Sequence, residues 1–191
     1  MNIKWKTALI NWFMHFAVEV ICFYSIYLVF DGGSYWWMMS LLYDAFAFAP
    51  QALVANFCEK HPRLSMFPIG GVSLIVGSCM IVFGKALNSS PYFLVIELTG
   101  LLFLTLGNCI MHIAGALRTL KASEGRLSES AIFVGGGSFG VITGRLLSKK
   151  AGVFAFVILI MVIATVLAEL EMKRSKTDND FSKQPCKHGI T

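Results

Sequence analysis

Six apolar runs, each long enough to cross a bilayer and separated by little else, constrain this chain more than any other feature. They cover residues 7–30, 35–57, 64–86, 91–117, 130–148 and 151–172. A hydrocarbon core of about 30 Å calls for roughly 20 residues of α-helix at about 1.5 Å per residue. Inside that core a backbone amide or carbonyl without a partner is costly, so a spanning segment is either a helix or a strand of a closed barrel. Barrel strands alternate apolar and polar over about ten residues, whereas these runs are continuous. The sequence therefore predicts an all-α membrane protein with six transmembrane helices. Its 191 residues are 56% apolar and 14% charged, and the short connections leave no soluble catalytic domain. No enzymatic activity, cofactor or metal is expected. The first run is too long for the apolar region of a signal peptide and lacks a small-x-small cleavage site, so it reads as a retained span.

Basic residues orient the spans. With the N-terminus in the cytoplasm, that side collects Lys4, Lys6, Lys60, Arg63, Arg118, Lys121, Arg126, Lys173, Arg174, Lys176, Lys183 and Lys187, while the other side holds Lys85, Arg145, Lys149 and Lys150. This positive-inside bias predicts a multi-pass protein of the cell (inner) membrane with both termini cytoplasmic. The net charge of +5 then reports topology and contact with anionic lipid headgroups rather than nucleic acid. Residues 1–172 form the six-helix domain, and the polar stretch 173–191 is expected to be a disordered cytoplasmic tail. The cysteines, Cys22, Cys58, Cys79, Cys109 and Cys186, form no C-x-x-C pair and read as small apolar residues.

The informative residues are the polar ones inside the runs. An ionisable side chain near the bilayer centre costs about 2.5–3.5 kcal/mol on insertion scales and usually faces the bundle interior or an aqueous path. At about 100° per residue, Asn11, His15 and Glu19 fall within about 80° on the first span, and Glu97, Asn108 and His112 share one face of the fourth. Because the two spans run in opposite directions, His15 and His112 lie at similar depth. Asp44 and Gln51 share a face of the second span, with Pro50 between them to bend it. Together these residues describe a polar column through most of the membrane. The string Asn-x-x-Met-His-x-Ala occurs twice, at 11–17 and 108–114. On the fifth span Gly136, Gly140 and Gly144 recur every fourth residue, a packing stripe for another helix. Gly70, Gly71, Gly77 and Gly84 allow similar crowding on the third.

Several of these segments resemble the major facilitator superfamily. Its G-x-x-x-[DE]-[RK]-x-G-[RK] motif between spans two and three is similar to residues 55–63, where Glu59, Lys60 and Arg63 match and Ala55 and Pro62 stand in place of the glycines. Gly107-x-x-x-x-His112-x-x-Gly115 resembles span four of fosmidomycin-resistance-like members, with Phe103 where an Arg is common. Gly136, Gly140 and Gly144 resemble the glycine-rich antiporter motif without its Pro. The resemblance covers residues 7–172 and implies one six-helix half of such a transporter. It also implies a gating role for Glu59, Lys60 and Arg63, and a central pathway lined by spans one and four.

The functional expectation is a half-size, proton-coupled secondary transporter of a small solute, cationic or amine-bearing, alternating access as a parallel homodimer. The second half would otherwise be a paralogous six-helix chain. His15, Glu19, Asp44, Glu97, Asn108, His112, Asn11 and Gln51 form the expected pathway. The main alternative is a non-transporting scaffold or accessory subunit, in which Asn and His act as interhelical hydrogen-bond glue. A metal-dependent intramembrane enzyme using His15, Glu19 and His112 is a further alternative.

Overall fold

The computed structural model describes residues 3–61, 64–87, 92–124 and 126–178. Among the described residues seven helices follow one another: α1 (Ile3–Phe30), α2 (Trp36–Phe48), α3 (Gln51–Lys60), α4 (Phe67–Ala86), α5 (Phe93–Ser123), α6 (Leu127–Ser148) and α7 (Phe154–Asp178). Among these residues six helical stretches are long and apolar enough to cross a membrane, with α2 and α3 together making the second. The chain is thus a multi-pass helical membrane protein. Six crossings bring the start of α1 and the end of α7 to one side of the bundle, its terminal end; the α1–α2 and α6–α7 connections, the end of α4 and the start of α5 lie at the far end.

Local chemistry sets the boundaries. Pro50 has no N–H to donate, and the second span breaks there. Gln51 Nε2 reaches back to the carbonyl of Ala47 at 3.3 Å, linking the two pieces. The far-end turns after α1 and α6 need a left-handed residue, supplied by Gly32 (φ 76°) and Gly152 (φ 77°), where a side chain would be strained. α5 has 31 residues, about 46 Å of helix, so it outruns the hydrocarbon core. α7 continues past residue 172 to Asp178, and residues 179–191 of the expected tail lie outside the described residues.

α1 is the hub of the bundle and contacts α2, α4, α5, α6 and α7. In its apolar window 67% of the residues are buried, against 17% for α2–α3, so the second span sits at the periphery. Between apolar helices in lipid there is little hydrophobic drive, and close packing has to supply the cohesion. Glycines provide it at two crossings. Along α6, Gly136, Gly140 and Gly144 lie against the carbonyl oxygens of Trp12, Phe16 and Val20 on α1. Both series advance by four residues in the same sense, so these helices are parallel. A methyl at Gly144 would stand 2.7 Å from the Val20 oxygen. Between α4 and α5 the seats run in opposite senses: Gly70 faces Gly107, Gly77 faces Gly100, and Gly84 faces Glu97. A Cβ at Gly77 would lie 2.6 Å from the Gly100 oxygen, so backbone meets backbone there as well.

Polar side chains finish the two ends. At the far end the Arg145 guanidinium lies 5.0 Å from the Tyr27 ring, and Lys85 donates to the carbonyl of Leu28. At the terminal end Thr7 donates to Glu171 at 2.5 Å, and Arg118 lies 3.5 Å from the same carboxylate. That network joins α1, α5 and α7.

Candidate functional site

The polar stripes of α1 and α5 meet as an antiparallel ladder. The α1 residues are four apart, one turn each, while those of α5 are four and then seven apart, one turn and then two. Asn11 Nδ2 donates to Thr119 Oγ1 at 3.1 Å. The His15 and His112 rings meet edge to face with centroids 4.2 Å apart. Asn108 Nδ2 donates to Glu19 Oε1 at 3.2 Å. Because the helices run in opposite directions, the two Asn-x-x-Met-His strings meet like with like at their histidines but not at their asparagines: Asn108 meets Glu19, whereas Asn11 meets Thr119. Their methionines serve packing, with Met14 seated over Gly115 and Met111 over Gly70.

The central rungs hold a compact ionisable centre. Glu19 Oε1 lies 3.3 Å from His112 Nε2 and 3.8 Å from His15 Nε2. Glu19 is 5% exposed and His15 7%, while the His112 side chain is 14% exposed. The other ring nitrogens identify the tautomers. His15 Nδ1 lies 2.8 Å from the carbonyl of Phe133 on α6, and His112 Nδ1 lies 3.2 Å from the carbonyl of Asn108. A carbonyl only accepts, so each Nδ1 carries the hydrogen, and each neutral ring turns an Nε2 lone pair toward Glu19. Two lone pairs and a carboxylate oxygen therefore converge, an arrangement stabilised by a proton or a cation placed among them.

Neighbouring helices shape this centre. A Cβ at Gly137 on α6 would lie 2.5 Å from both Cε1 and Nε2 of His15. In the Gly135-Gly136-Gly137 run, then, Gly136 admits the α1 backbone and Gly137 admits the imidazole. Phe133 stacks on the same ring with centroids 4.5 Å apart. From α2, the Tyr43 hydroxyl lies 2.5 Å from Asn108 Nδ2, and Cys22 Sγ lies 3.5 Å from the same nitrogen.

The remaining expected pathway residues take other positions on the helices. Asp44 is exposed on the outer face of α2; its neighbour Tyr43, about 100° away around the helix, is the residue that turns inward. Glu97 is buried between α4 and α5 beside Gly84, about 16 Å along α5 from Asn108. Gln51 bonds across the Pro50 break to Ala47 of α2. Glu59 and Lys60 are exposed at the end of α3, and Arg63 lies outside the described residues. Glu19 and Glu97 are thus enclosed by this chain's own helices, and Asp44 faces outward. Sequence reasoning missed Tyr43 and two further buried acids, Glu171 with Arg118 and Glu129 with Arg126 at 2.7 Å. The Arg126–Glu129 spacing of three residues was a readable sign of the last pair.

Compared with protein-family models, with curated proteins and with solved structures, the chain finds no match. Fold and site define a class by themselves: a multi-pass membrane protein with a His–Glu–His centre enclosed between α1 and α5.

Proposed function

We propose that the chain is a secondary transporter of a small cationic solute, coupled to protons through the His15–Glu19–His112 centre. The observation that supports this is the convergence of two imidazole lone pairs on one buried carboxylate in the middle of apolar helices. Such a group is expensive to keep in a membrane interior unless it works, and it gains or loses protons without rearranging the backbone. Alternating access follows from rocking one six-helix unit against another. In this reading the working unit is a parallel homodimer resembling a full major facilitator, in the cell membrane with cytoplasmic termini. The exposed Asp44 supports a partner, since a carboxylate among Trp37, Leu41 and Phe48 on an outer face is unfavourable against lipid. Flux of monovalent and divalent cations into proteoliposomes under an imposed pH gradient tests the reading. Uptake that follows the gradient and is lost in Glu19→Gln is expected, and flux indifferent to the gradient removes the coupling.

A second reading, a non-transporting scaffold, is favoured by the ladder itself, because the Asn11–Thr119 and Asn108–Glu19 bonds are ordinary interhelical glue. It expects Glu19→Gln to be silent in every functional assay and to alter only stability.

A further inference from the structure

We propose that the His15–Glu19–His112 centre is a binding site for a divalent first-row transition-metal ion of the zinc or cobalt type. Its role as cargo rests on the transporter reading; the binding itself does not. His15, Glu19 and His112 each offer one ligand atom, and these atoms lie within 4.8 Å of one another. Metal–ligand bonds of about 2.0–2.1 Å in a tetrahedral shell place neighbouring ligand atoms roughly 3.3 Å apart. The His112 Nε2 to Glu19 Oε1 edge is already 3.3 Å, and the His15 edge is 3.8 Å.

Surrounding contacts are those a metal site needs. Each histidine has its Nδ1 on a backbone carbonyl, Phe133 or Asn108, which fixes the tautomer and leaves Nε2 free to ligate. Glu19 is oriented by Asn108 Nδ2, which is itself backed by Tyr43. The ligands sit on α1 and α5, rigid helices rather than loops, and the Gly137 notch holds the His15 ring in place. A proton alone serves this geometry less completely. It can bridge the 3.3 Å pair, but at 3.8 Å His15 Nε2 lies beyond hydrogen-bond reach. A cation drawn in among the three satisfies all of them. Two nitrogens and one oxygen also select the chemical class: Ca²⁺ and Mg²⁺ require six or more oxygen ligands, whereas imidazole with carboxylate suits zinc and its neighbours. One carboxylate leaves the bound ion partly uncompensated, which suits reversible binding with protons as competitors.

The test uses the full chain in mild detergent, stripped with chelator and titrated with Co²⁺ while visible absorption is followed, with Zn²⁺ stoichiometry measured by elemental analysis. The expected result is one ion per chain and the strong visible bands of four-coordinate Co²⁺, displaced by Zn²⁺. His112→Ala and Glu19→Gln should each weaken Co²⁺ binding more than about tenfold, and Asn108→Ala about 10–100-fold through loss of ligand orientation. Ser25→Ala, which removes a separate buried bond to Ser78 on α4, should bind like the wild type. Folded wild-type protein that takes up neither ion overturns the proposal, as does binding undiminished in both His112→Ala and Glu19→Gln. Proton-coupled flux without metal binding would refute this inference alone. Stoichiometric metal binding without flux would refute only the transporter reading.

Discussion

His112 Nε2 and Glu19 Oε1 stand 3.3 Å apart across the α1–α5 crossing, and every other feature of the centre supports that approach. The Asn108 carbonyl holds the far side of the imidazole, while the Asn108 side chain holds the carboxylate. One residue thus positions both members of the pair. Asn108→Ala should lower proton-coupled cation flux at least tenfold, while Asn108→Asp should leave a folded protein with an altered pH profile. Flux measured across pH in proteoliposomes distinguishes positioning from mere packing, because a packing role would leave the profile unchanged.

Protons and metal compete for the same atoms, which fixes the sign of the pH effect. A metal ligand must present its lone pair, so binding releases protons and affinity falls as pH falls. For each proton released the apparent affinity should drop about tenfold per pH unit over the range in which the ligands are protonated. Co²⁺ titrations at a series of pH values measure that slope, and a flat profile would mean that the ion binds elsewhere.

Gly137→Ala introduces a methyl 2.5 Å from the His15 ring. Overpacking of this kind costs about 1–3 kcal/mol, and the ring is the group that can yield. The expected outcome is a modest fall in thermal stability together with a loss of Co²⁺ affinity out of proportion to it. Gly144→Ala, where the added methyl would meet the Val20 carbonyl at 2.7 Å, should destabilise the α1–α6 crossing while leaving the ligand atoms in place. Comparing melting midpoints with Co²⁺ titrations for the two variants separates the roles.

Tyr43→Phe deletes one hydroxyl from the polar chain that ends on Glu19. Interhelical hydrogen bonds in membranes are worth about 0.6 kcal/mol on average and at most about 1.7. A double-mutant cycle with Asn108→Ala should return a coupling in that range. A coupling of zero would show that the two side chains do not interact in the folded protein.

Asp44 with Leu41 and Trp37 presents the outer face of α2. If a second copy covers that face, Leu41→Cys should crosslink chain to chain in native membranes, and Asp44→Asn should leave monomer stability unchanged. Quantitative labelling of the introduced cysteine by a lipid-soluble maleimide, with no crosslink, would place that face against lipid instead.

Much of this arrangement could be read before any coordinates. The hydropathy runs mark the six crossings, Pro50 marks the break in the second, and the spacing of four puts Asn11, His15 and Glu19 on one face. Counting residues from the ends of two antiparallel spans sets His15 at the depth of His112. The choice between Tyr43 and Asp44 was not legible, because it depends on the rotation of α2 against α5, a tertiary matter that two adjacent polar residues leave open. Nor could Glu97 be separated from the centre by azimuth alone: it shares a face with Asn108, but the seat opposite it is Gly84 on α4. The pairing of Glu171 with Arg118 depends on where α7 meets α5 at the terminal end, and no local pattern encodes that.

The repeated seats between α1 and α6 carry a mechanical implication. A row of like notches, every fourth residue on both helices, does not by itself specify alignment: advancing α1 by one turn, about 5.4 Å, would set Ala8 on Gly136, Trp12 on Gly140 and Phe16 on Gly144, with all three glycine seats still filled. His15 would not survive that step, because its ring would leave the space at Gly137 and meet the side chain of Val141. The imidazole is therefore the key that indexes an otherwise slippable ratchet, and whatever occupies its Nε2 holds a stake in the sliding register of the two helices.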